Sequence, residues 1–247
     1  MSQIALNYEK DSKFAAPRFM LKFARRRRGA ARPAGTKNNH IMHIGVAGNI
    51  GSGKTTLTRM LSEHYGWVPK YESVTYNPYL EDYYEDIPRW SYNLETYFLA
   101  QRFKDLLEIA GSKETVIQDR TIFEGVYIFV ANNLSMGNLS QRDYDTYMQL
   151  FSLMMSMVRL PDLLIYLKSS IGHLVGQIQK RGREYEKSIE IEYLANLNER
   201  YDKWISEDYK GRVMVIDADG LDFENRPEDF RLITDRIDSE LYGLFSE

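Results

Sequence analysis

From residue 42 onward, short continuous apolar runs alternate with longer segments in which apolar residues recur every three or four positions. The short runs are typical of strands buried on both faces, whereas the longer pattern indicates amphipathic helices. The predicted strands are 42–48, 67–73, 115–120, 162–169 and 212–218. The predicted helices are about 54–65, 90–111, 121–134, 140–158, 170–181, 188–206 and 226–244.

This alternation predicts an α/β fold with a five-stranded parallel sheet that is flanked by helices on both faces. The chain has 247 residues, of which 43% are hydrophobic, and this is sufficient for one sizeable core. Parallel sheets place their ligands beyond the carboxyl ends of the strands. Residues that directly follow the apolar runs are therefore the first candidates for a functional site.

The N-terminal segment has a different composition. Residues 1–41 contain ten Lys and Arg and two acidic residues, whereas the remainder contains 22 basic and 33 acidic residues. The segment has no apolar periodicity and includes the run "RRRRGAARPAGTKNN". We expect residues 1–41 to be a disordered basic extension and residues 42–247 to form the folded domain. A basic interaction arm and an organelle address remain open for the extension.

The composition of the remaining chain excludes several classes of function. An acidic body argues against a general nucleic-acid-binding protein, which usually presents a basic face. The absence of cysteine excludes disulfides and thiolate chemistry and favours an intracellular, cytoplasmic setting. No stretch approaches the roughly 20 apolar residues of a membrane span, so neither nucleic acid nor a membrane is an expected partner.

The segment GNIGSGKT (48–55) fits the phosphate-loop pattern G-x-x-x-x-G-K-[ST], with a predicted strand before it and a predicted helix after it. Glycines allow backbone N–H groups to converge on a phosphate, and the helix N-terminus favours negative charge. We expect Lys54 to reach the β- and γ-phosphates of ATP and Thr55 to bind Mg²⁺. The expected nucleotide-binding residues are Gly48, Asn49, Ile50, Gly51, Ser52, Gly53, Lys54, Thr55 and Thr56.

Charged residues at two further strand ends are candidates for chemistry. Glu72 is predicted to close the second strand, where a carboxylate can take the proton of an attacking hydroxyl. Asp119 and Arg120 end the third strand, where Asp119 can help to hold Mg²⁺ and Arg120 can orient Glu72. The alternatives are a surface glutamate at the end of a strand and a structural Asp–Arg pair.

A third group is basic and surrounds a glycine: Lys180, Arg181 and Arg183. Such a group can close over phosphates as a mobile lid and stabilise charge in the transition state. The alternative is a solvated basic end of a helix, where positive charge is favoured by the helix dipole.

Four motifs in this order, "GNIGSGKTTL", "ES…NPYL…YYEDIPRWS", "DRTIFE…YIF" and "QKRGREYE…EYL", resemble the deoxyribonucleoside kinase family, in particular its bacterial deoxyadenosine/deoxyguanosine kinase branch. The resemblance covers about residues 42–244. It implies a P-loop fold of the nucleoside-kinase type with an arginine-rich lid. It also implies ATP-dependent phosphorylation of the 5′-hydroxyl of a deoxyribonucleoside, with a purine as the expected base.

The resemblance also implies roles for single residues. Glu72 matches the general base, Arg120 the arginine beside it, and Asp119 the acid near Mg²⁺. Tyr84 and Glu186 match the pair that holds the 3′-hydroxyl, and the lid arginines correspond to Arg181 and Arg183. Trp90 falls in an element that lines the substrate pocket, although a core aromatic is an equally good interpretation.

The sequence departs from the family pattern at three positions. Glu95 stands where the family commonly has Gln, Gly125 where it has Asp, and Gln177 where the lid often begins with Arg. The first two positions contact the base in the family. The choice of base is therefore open, whereas phosphoryl transfer to a hydroxyl is not affected, because Glu72 and the phosphate loop are intact.

Two other functions fit part of the pattern. A thymidylate-kinase-like nucleoside monophosphate kinase shares the phosphate loop and a strand that ends in Asp-Arg, but Glu72 would repel a monophosphate acceptor. A non-catalytic nucleotide switch would not need three catalytic-type clusters. Segment 140–158 carries Tyr, Met, Leu and Phe on more than one helical face, which predicts a homodimer interface, although a core helix is the alternative.

Overall fold

Five parallel strands form one sheet in the part of the chain that the structure, a computed structural model, describes: residues 41–72, 77–183, 186 and 189–243. The strands are β1 His43–Gly48, β2 Val68–Lys70, β3 Val116–Asp119, β4 Leu163–Lys168 and β5 Val213–Asp217. Their order in the sheet is β2-β3-β1-β4-β5. The predicted α/β architecture is thereby confirmed. The predicted extension, residues 1–41, lies outside the described residues except for Ile41.

Helices connect the strands and cover the sheet. The α-helices of the described residues are α1 Lys54–Tyr65, α2 Leu80–Glu85, α3 Ile87–Ala110, α4 Ile122–Glu124, α5 Ala131–Ser135, α6 Gln141–Met155, α7 Ile171–Arg181, α8 Ile191–Lys203 and α9 Pro227–Tyr242. Two π-helical segments, Gly125–Val130 and Trp204–Asp208, continue α4 and α8. Among the described residues, no helix combines the length and the apolar character needed to cross a membrane.

The central strands are apolar on both faces because helices pack on both sides of the sheet. All six residues of β1 are buried. Ile165 of β4 joins a core cluster with Leu57 of α1 and Ile237 of α9 on one side. Since successive side chains of a strand point to opposite faces, Tyr166 lies on the other face. There its ring stacks on Tyr201 of α8, with centroids 5.7 Å apart.

The parallel register brings the ends of three strands to the same edge of the sheet. Val46 of β1 is paired with Asp119 of β3, and Lys70 of β2 with Gln118. The phosphate loop follows β1 directly, and Arg120 follows β3. The residues that the sequence singled out as strand-end candidates therefore converge at one edge.

The predicted second strand is too long. β2 ends at Lys70, and Glu72 lies two residues beyond it rather than closing it. β2 is an edge strand that pairs only with β3, and Pro69 at its centre has no N–H to donate. Such a strand would gain few hydrogen bonds if it were longer. The chain leaves the sheet at Tyr71, which is exposed.

The helices also differ from the prediction. α2 was not predicted, because its six residues bury only Tyr83 and show no apolar periodicity. α3 begins three residues earlier than predicted, since the Asp86 carboxylate accepts a hydrogen bond from the N–H of Arg89 and Pro88 occupies the first turn. The predicted helix 121–134 is interrupted by the π-helical segment, which periodicity of 3.6 residues does not reveal.

Candidate functional site

The phosphate loop has the backbone geometry that its glycines permit. Gly48 and Gly51 adopt φ values of 153° and 85°, which disfavour other residues. A Cβ atom at Gly48 would lie 2.8 Å from the carbonyl oxygen of Leu167, and one at Gly51 would lie 2.9 Å from that of Leu174. Both positions therefore require glycine for conformation and for space.

Lys54 begins α1 and is buried at the base of the loop. Its Nζ donates to the carbonyl oxygen of Asn49 at 2.8 Å. The pKa of Lys54 is lowered to about 7, mainly because burial disfavours the ammonium and secondly because Arg120 repels it. An anionic ligand at this point would restore the charged form. The arrangement thus favours the binding of phosphate.

Asn49 anchors the loop to a distant helix. Its side-chain Nδ2 donates to the carbonyl oxygen of Leu194 at 3.0 Å and to Oδ1 of Asn198 at 2.7 Å, both on α8. Its Oδ1 accepts from the N–H of Ile50 at 2.7 Å. The loop is therefore fixed before any ligand arrives, although sequence reasoning assigned no role to Asn198.

Glu72 forms two ion pairs at the sheet edge. Its Oε1 accepts from Nη2 of Arg102 at 2.5 Å, and its Oε2 accepts from Nε of Arg120 at 3.0 Å. Burial alone would raise the pKa of Glu72, but the two guanidinium groups outweigh this effect and lower it to about 2. The two guanidinium groups therefore favour the ionised form of this carboxylate near neutral pH.

Arg120 is held in an unusual backbone conformation. It is the only non-glycine residue in the described part of the chain with a positive φ, 67°, and its N–H donates to Val46 at 2.9 Å. Its Nη1 donates to Tyr201 Oη at 2.9 Å and to Glu124 at 3.3 Å. Arg120 pairs with these groups and with Glu72, so the alternative of a structural pair with Asp119 is wrong.

Asp119 instead contacts the phosphate loop. Its Oδ2 accepts from the hydroxyl of Thr55 at 2.5 Å, and its buried Oδ1 has no hydrogen-bond partner among the described residues. Burial raises the pKa of Asp119, although Lys54 opposes this effect. An unpaired carboxylate oxygen beside a hydroxyl fits Mg²⁺, which commonly takes one or two protein ligands together with phosphate oxygens and water. No group of three or more His, Cys, Asp or Glu side chains suited to a metal occurs among the described residues.

Glu95 lies on α3 and lines the same cavity. It is buried, and Nδ2 of Asn133 donates to its Oε1 at 3.4 Å. Burial raises the pKa of Glu95 to about 8, although Arg102 and Arg120 oppose this effect. Unlike Glu72, this carboxyl group is largely protonated near neutral pH.

The glycine at position 125 leaves room for the Arg102 side chain, which also lines the cavity. A Cβ atom at Gly125 would lie 2.9 Å from Nη1 of Arg102 and 3.1 Å from the hydroxyl of Tyr147. The Nε and Nη1 atoms of Arg102 are buried without hydrogen-bond partners in the described part of the chain. These N–H groups are available to a polar ligand.

The predicted lid residues lie at the end of α7. Arg181 donates to Glu186 from Nε at 3.0 Å and from Nη2 at 2.5 Å, and Nη1 of Arg183 lies 3.5 Å from the same carboxylate. Residues 184, 185, 187 and 188 lie outside the described residues, so the mobile lid remains a prediction.

The structure brings most of the predicted site residues into one cavity, lined by Ile50, Gly51, Lys54, Thr55, Glu72, Tyr84, Glu95, Asp119, Arg120, Arg181, Arg183 and Glu186. Ser52, Gly53 and Thr56 instead line a second depression, together with residues 219–226. Trp90 is partly exposed and lies outside both sets of lining residues; its ring lies 5.9 Å from that of Tyr79. Trp90 is thus neither a fully buried core residue nor a lining residue.

Three residues of the site were missed from the sequence. Arg102 lies seven residues after Glu95, two turns along the same face of α3, and this spacing could have indicated it. Glu124 stands three residues after Thr121, and this capping-box signature is formed in the structure. Tyr201 reaches Arg120 across 81 residues, and no local signal in the sequence predicts that contact.

Comparison with known proteins gives a consistent result. The family model described as Deoxynucleoside kinase matches residues 44–242. The chain is 36% identical over 211 residues to a deoxyadenosine/deoxycytidine kinase of Bacillus subtilis, a match that spans 83% of this chain and 97% of that protein. It is 35% identical over 207 residues to a deoxyguanosine kinase of the same organism, spanning 81% and 97%.

A solved structure has a similar fold. Deoxyadenosine kinase from M. mycoides with bound dATP superposes with a TM-score of 0.71 at 31% identity, covering 80% of this chain and 100% of that one. The resemblance of the four motifs, the match over nearly the whole described domain and the shared fold agree. The chain belongs to the deoxynucleoside kinase family.

Proposed function

We propose that this kinase transfers the γ-phosphoryl group of ATP, with Mg²⁺, to the 5′-hydroxyl of a purine deoxyribonucleoside. The observation that carries the proposal is the position of Glu72. An ionised carboxylate, held by Arg102 and Arg120, lines the same cavity as Lys54 of the phosphate loop. A proton acceptor and a phosphate site in one cavity are what phosphoryl transfer to an alcohol requires.

Glu72 would orient the 5′-hydroxyl and accept its proton. A carboxylate whose pKa is about 2 is a weak base. Low basicity suffices when the transition state is loose, because the hydroxyl then loses its proton late, as the new P–O bond forms. The two guanidinium groups ensure that the carboxylate is not protonated in advance.

The remaining polar groups of the cavity would bind the phosphates. Lys54 would contact the β- and γ-phosphates, and Arg181 and Arg183 would stabilise the charge that spreads over the transferred group. Thr55 and Asp119 would hold Mg²⁺, which neutralises phosphate charge when bound. The second depression, which Ser52, Gly53 and Thr56 line, would accept the adenine of ATP.

Tyr84 and Glu186 would read the 3′-hydroxyl of the sugar. Both line the cavity, and the Glu186 carboxylate is 5% exposed and already held by Arg181. A phenol and a carboxylate can hydrogen-bond a single hydroxyl, and a buried pair left without it costs about 1–3 kcal/mol. This pair would therefore favour a sugar that carries a 3′-hydroxyl.

An assay of acceptors tests the proposal directly. The four deoxyribonucleosides and the four deoxyribonucleoside monophosphates are compared by kcat/KM with ATP and Mg²⁺. We expect turnover of the nucleosides, highest for a purine, and no more than trace turnover of the monophosphates, because Glu72 repels a phosphate. A 2′,3′-dideoxynucleoside should be a poorer substrate than its parent. Preferential phosphorylation of a monophosphate would support the thymidylate-kinase-like alternative instead.

Glu95 would contact the base, and its protonation state would influence which purine is preferred. A protonated carboxyl group donates and accepts one hydrogen bond, as a Gln does, and so matches the N6 and N7 atoms of adenine. An ionised carboxylate only accepts, and so matches the N1–H and N2–H groups of guanine. Since the pKa of Glu95 is about 8, the adenine-matching form prevails below that pH.

The dependence on pH provides the second prediction. The ratio of kcat/KM for deoxyadenosine to that for deoxyguanosine should fall as the pH rises through about 8, and Glu95→Gln should remove this change. Both proteins are assayed between about pH 6 and 9, with Glu85→Gln on the exposed face of α2 as the matched control. If Glu95→Gln leaves the ratio and its pH dependence unchanged, Glu95 does not contact the base.

We also propose that two copies of the chain form a homodimer through α6 and the residues after it. The inner face of α6 buries Tyr147 and Phe151, but Leu153, Met157 and Leu160 are exposed. Three exposed apolar side chains on one short segment favour contact with another protein surface. Sedimentation equilibrium should give about twice the chain mass of 28.9 kDa, and Leu153→Glu should lower it. A monomeric wild-type protein at micromolar concentration would contradict the proposal.

A further inference from the structure

Glu124 is a fully buried carboxylate that lies between the phosphate loop and Arg120. Its Oε1 accepts hydrogen bonds from the backbone N–H of Gly48 at 3.3 Å and from Nη1 of Arg120 at 3.3 Å. Its Oε2 accepts from the backbone N–H of Thr121 at 2.7 Å. One side chain therefore contacts the first residue of the phosphate loop and the two residues that follow β3.

Tyr201 completes this network from α8. Its hydroxyl donates to Oε1 of Glu124 at 2.7 Å and accepts from Nη1 of Arg120 at 2.9 Å. The Tyr201 ring is fully buried and stacks on Tyr166 of β4. The three side chains form a closed triangle, in which each hydrogen bond restrains the other two groups.

Arg120 needs such restraint because its backbone is strained. A positive φ is unfavourable for a non-glycine residue, and residues in such conformations persist when surrounding contacts fix them. On one side of the guanidinium, Nε faces Glu72. On the other side, Nη1 is held by Glu124 and Tyr201. Contacts on both sides of the guanidinium thus restrain Arg120.

We propose that Glu124 and Tyr201 are positioning residues, which aim Arg120 at Glu72 and fix this pair relative to the phosphate loop through the N–H of Gly48. Neither residue lies among the described residues that line the substrate cavity. They act on the reaction indirectly. By holding Arg120 and the phosphate loop, they set the distance between the carboxylate of Glu72 and the transferred phosphate. The inference rests on the proposed role of Glu72 in phosphoryl transfer.

The network has a consequence for Glu72 that a merely structural role would not have. The charged groups that face Glu72 are Arg120, Arg102 and Lys54, which lower its pKa, and Glu95 and Asp119, which interact with it unfavourably. If Arg120 loses its anchor, its interaction with Glu72 weakens and the pKa of Glu72 rises. The proton acceptor is then lost at a higher pH as the solution is acidified.

The experiment compares Tyr201→Phe and Glu124→Gln with Tyr166→Phe. The control removes a phenol hydroxyl from the neighbouring ring of the same stack, where it contacts Asp202 at 3.3 Å and not Arg120. We expect Tyr201→Phe to lower kcat by at least about tenfold, with a smaller change in KM, and on acidification this variant should lose activity at a higher pH than the wild-type protein does. Tyr166→Phe should keep the wild-type pH profile.

A second measurement does not depend on activity. The carboxyl carbon of Glu72, labelled with ¹³C and assigned with Glu72→Gln, is titrated by NMR in each protein. An upward shift of the pKa of Glu72 in Tyr201→Phe but not in Tyr166→Phe supports the inference. An unchanged titration in Tyr201→Phe overturns it. This comparison can be made even if Glu124→Gln fails to fold. A wild-type protein that phosphorylates no deoxynucleoside contradicts the proposed function instead, and the titration still decides the role of Tyr201.

Discussion

The largely buried ion pair between Glu72 and Arg120 is the interaction on which the rest of the site depends. Removing two charges from water is expensive, and the attraction between them repays that cost only when the geometry is good and the remaining donors are satisfied. Here Arg102 gives Glu72 a second partner, and Tyr201 and Glu124 occupy the other side of Arg120. The carboxylate therefore stays ionised although burial favours its neutral form.

The fold supplies each partner from a different element. Glu72 follows the edge strand β2, Arg120 follows β3, and Arg102 and Tyr201 lie on α3 and α8. Because parallel strands end at the same edge of a sheet, the phosphate loop after β1 lies beside them without any further constraint. Two carboxyl groups in one cavity then have opposite character: Glu72 between two guanidinium groups is ionised, whereas burial dominates for Glu95 and raises its pKa to about 8.

Much of this arrangement could be predicted from the sequence, because it is encoded locally. Continuous apolar runs predicted the strands, and the spacing of glycines, lysine and threonine predicted the phosphate loop. The position of Glu72 at the sheet edge followed from the same pattern, although β2 proved shorter than expected. Residues whose roles depend on contacts distant in sequence were not found: Tyr201 meets Arg120 only because α8 packs on the sheet. The π-helical segment at Gly125–Val130 was also missed, since its widened turns leave no periodic signal.

The turnover of Glu72→Gln tests the role of this ion pair most directly. The substitution keeps the shape of the side chain but removes the proton acceptor and the charge that Arg102 and Arg120 neutralise. Glu108→Gln is the matched control, because Glu108 forms an exposed ion pair with Lys70 outside the cavity. With both variants shown to be folded by their thermal melting, kcat for deoxynucleoside phosphorylation should fall about 10²-fold or more in Glu72→Gln and remain near the wild-type value in Glu108→Gln. Near-normal turnover in folded Glu72→Gln would contradict the role of Glu72 as the proton acceptor.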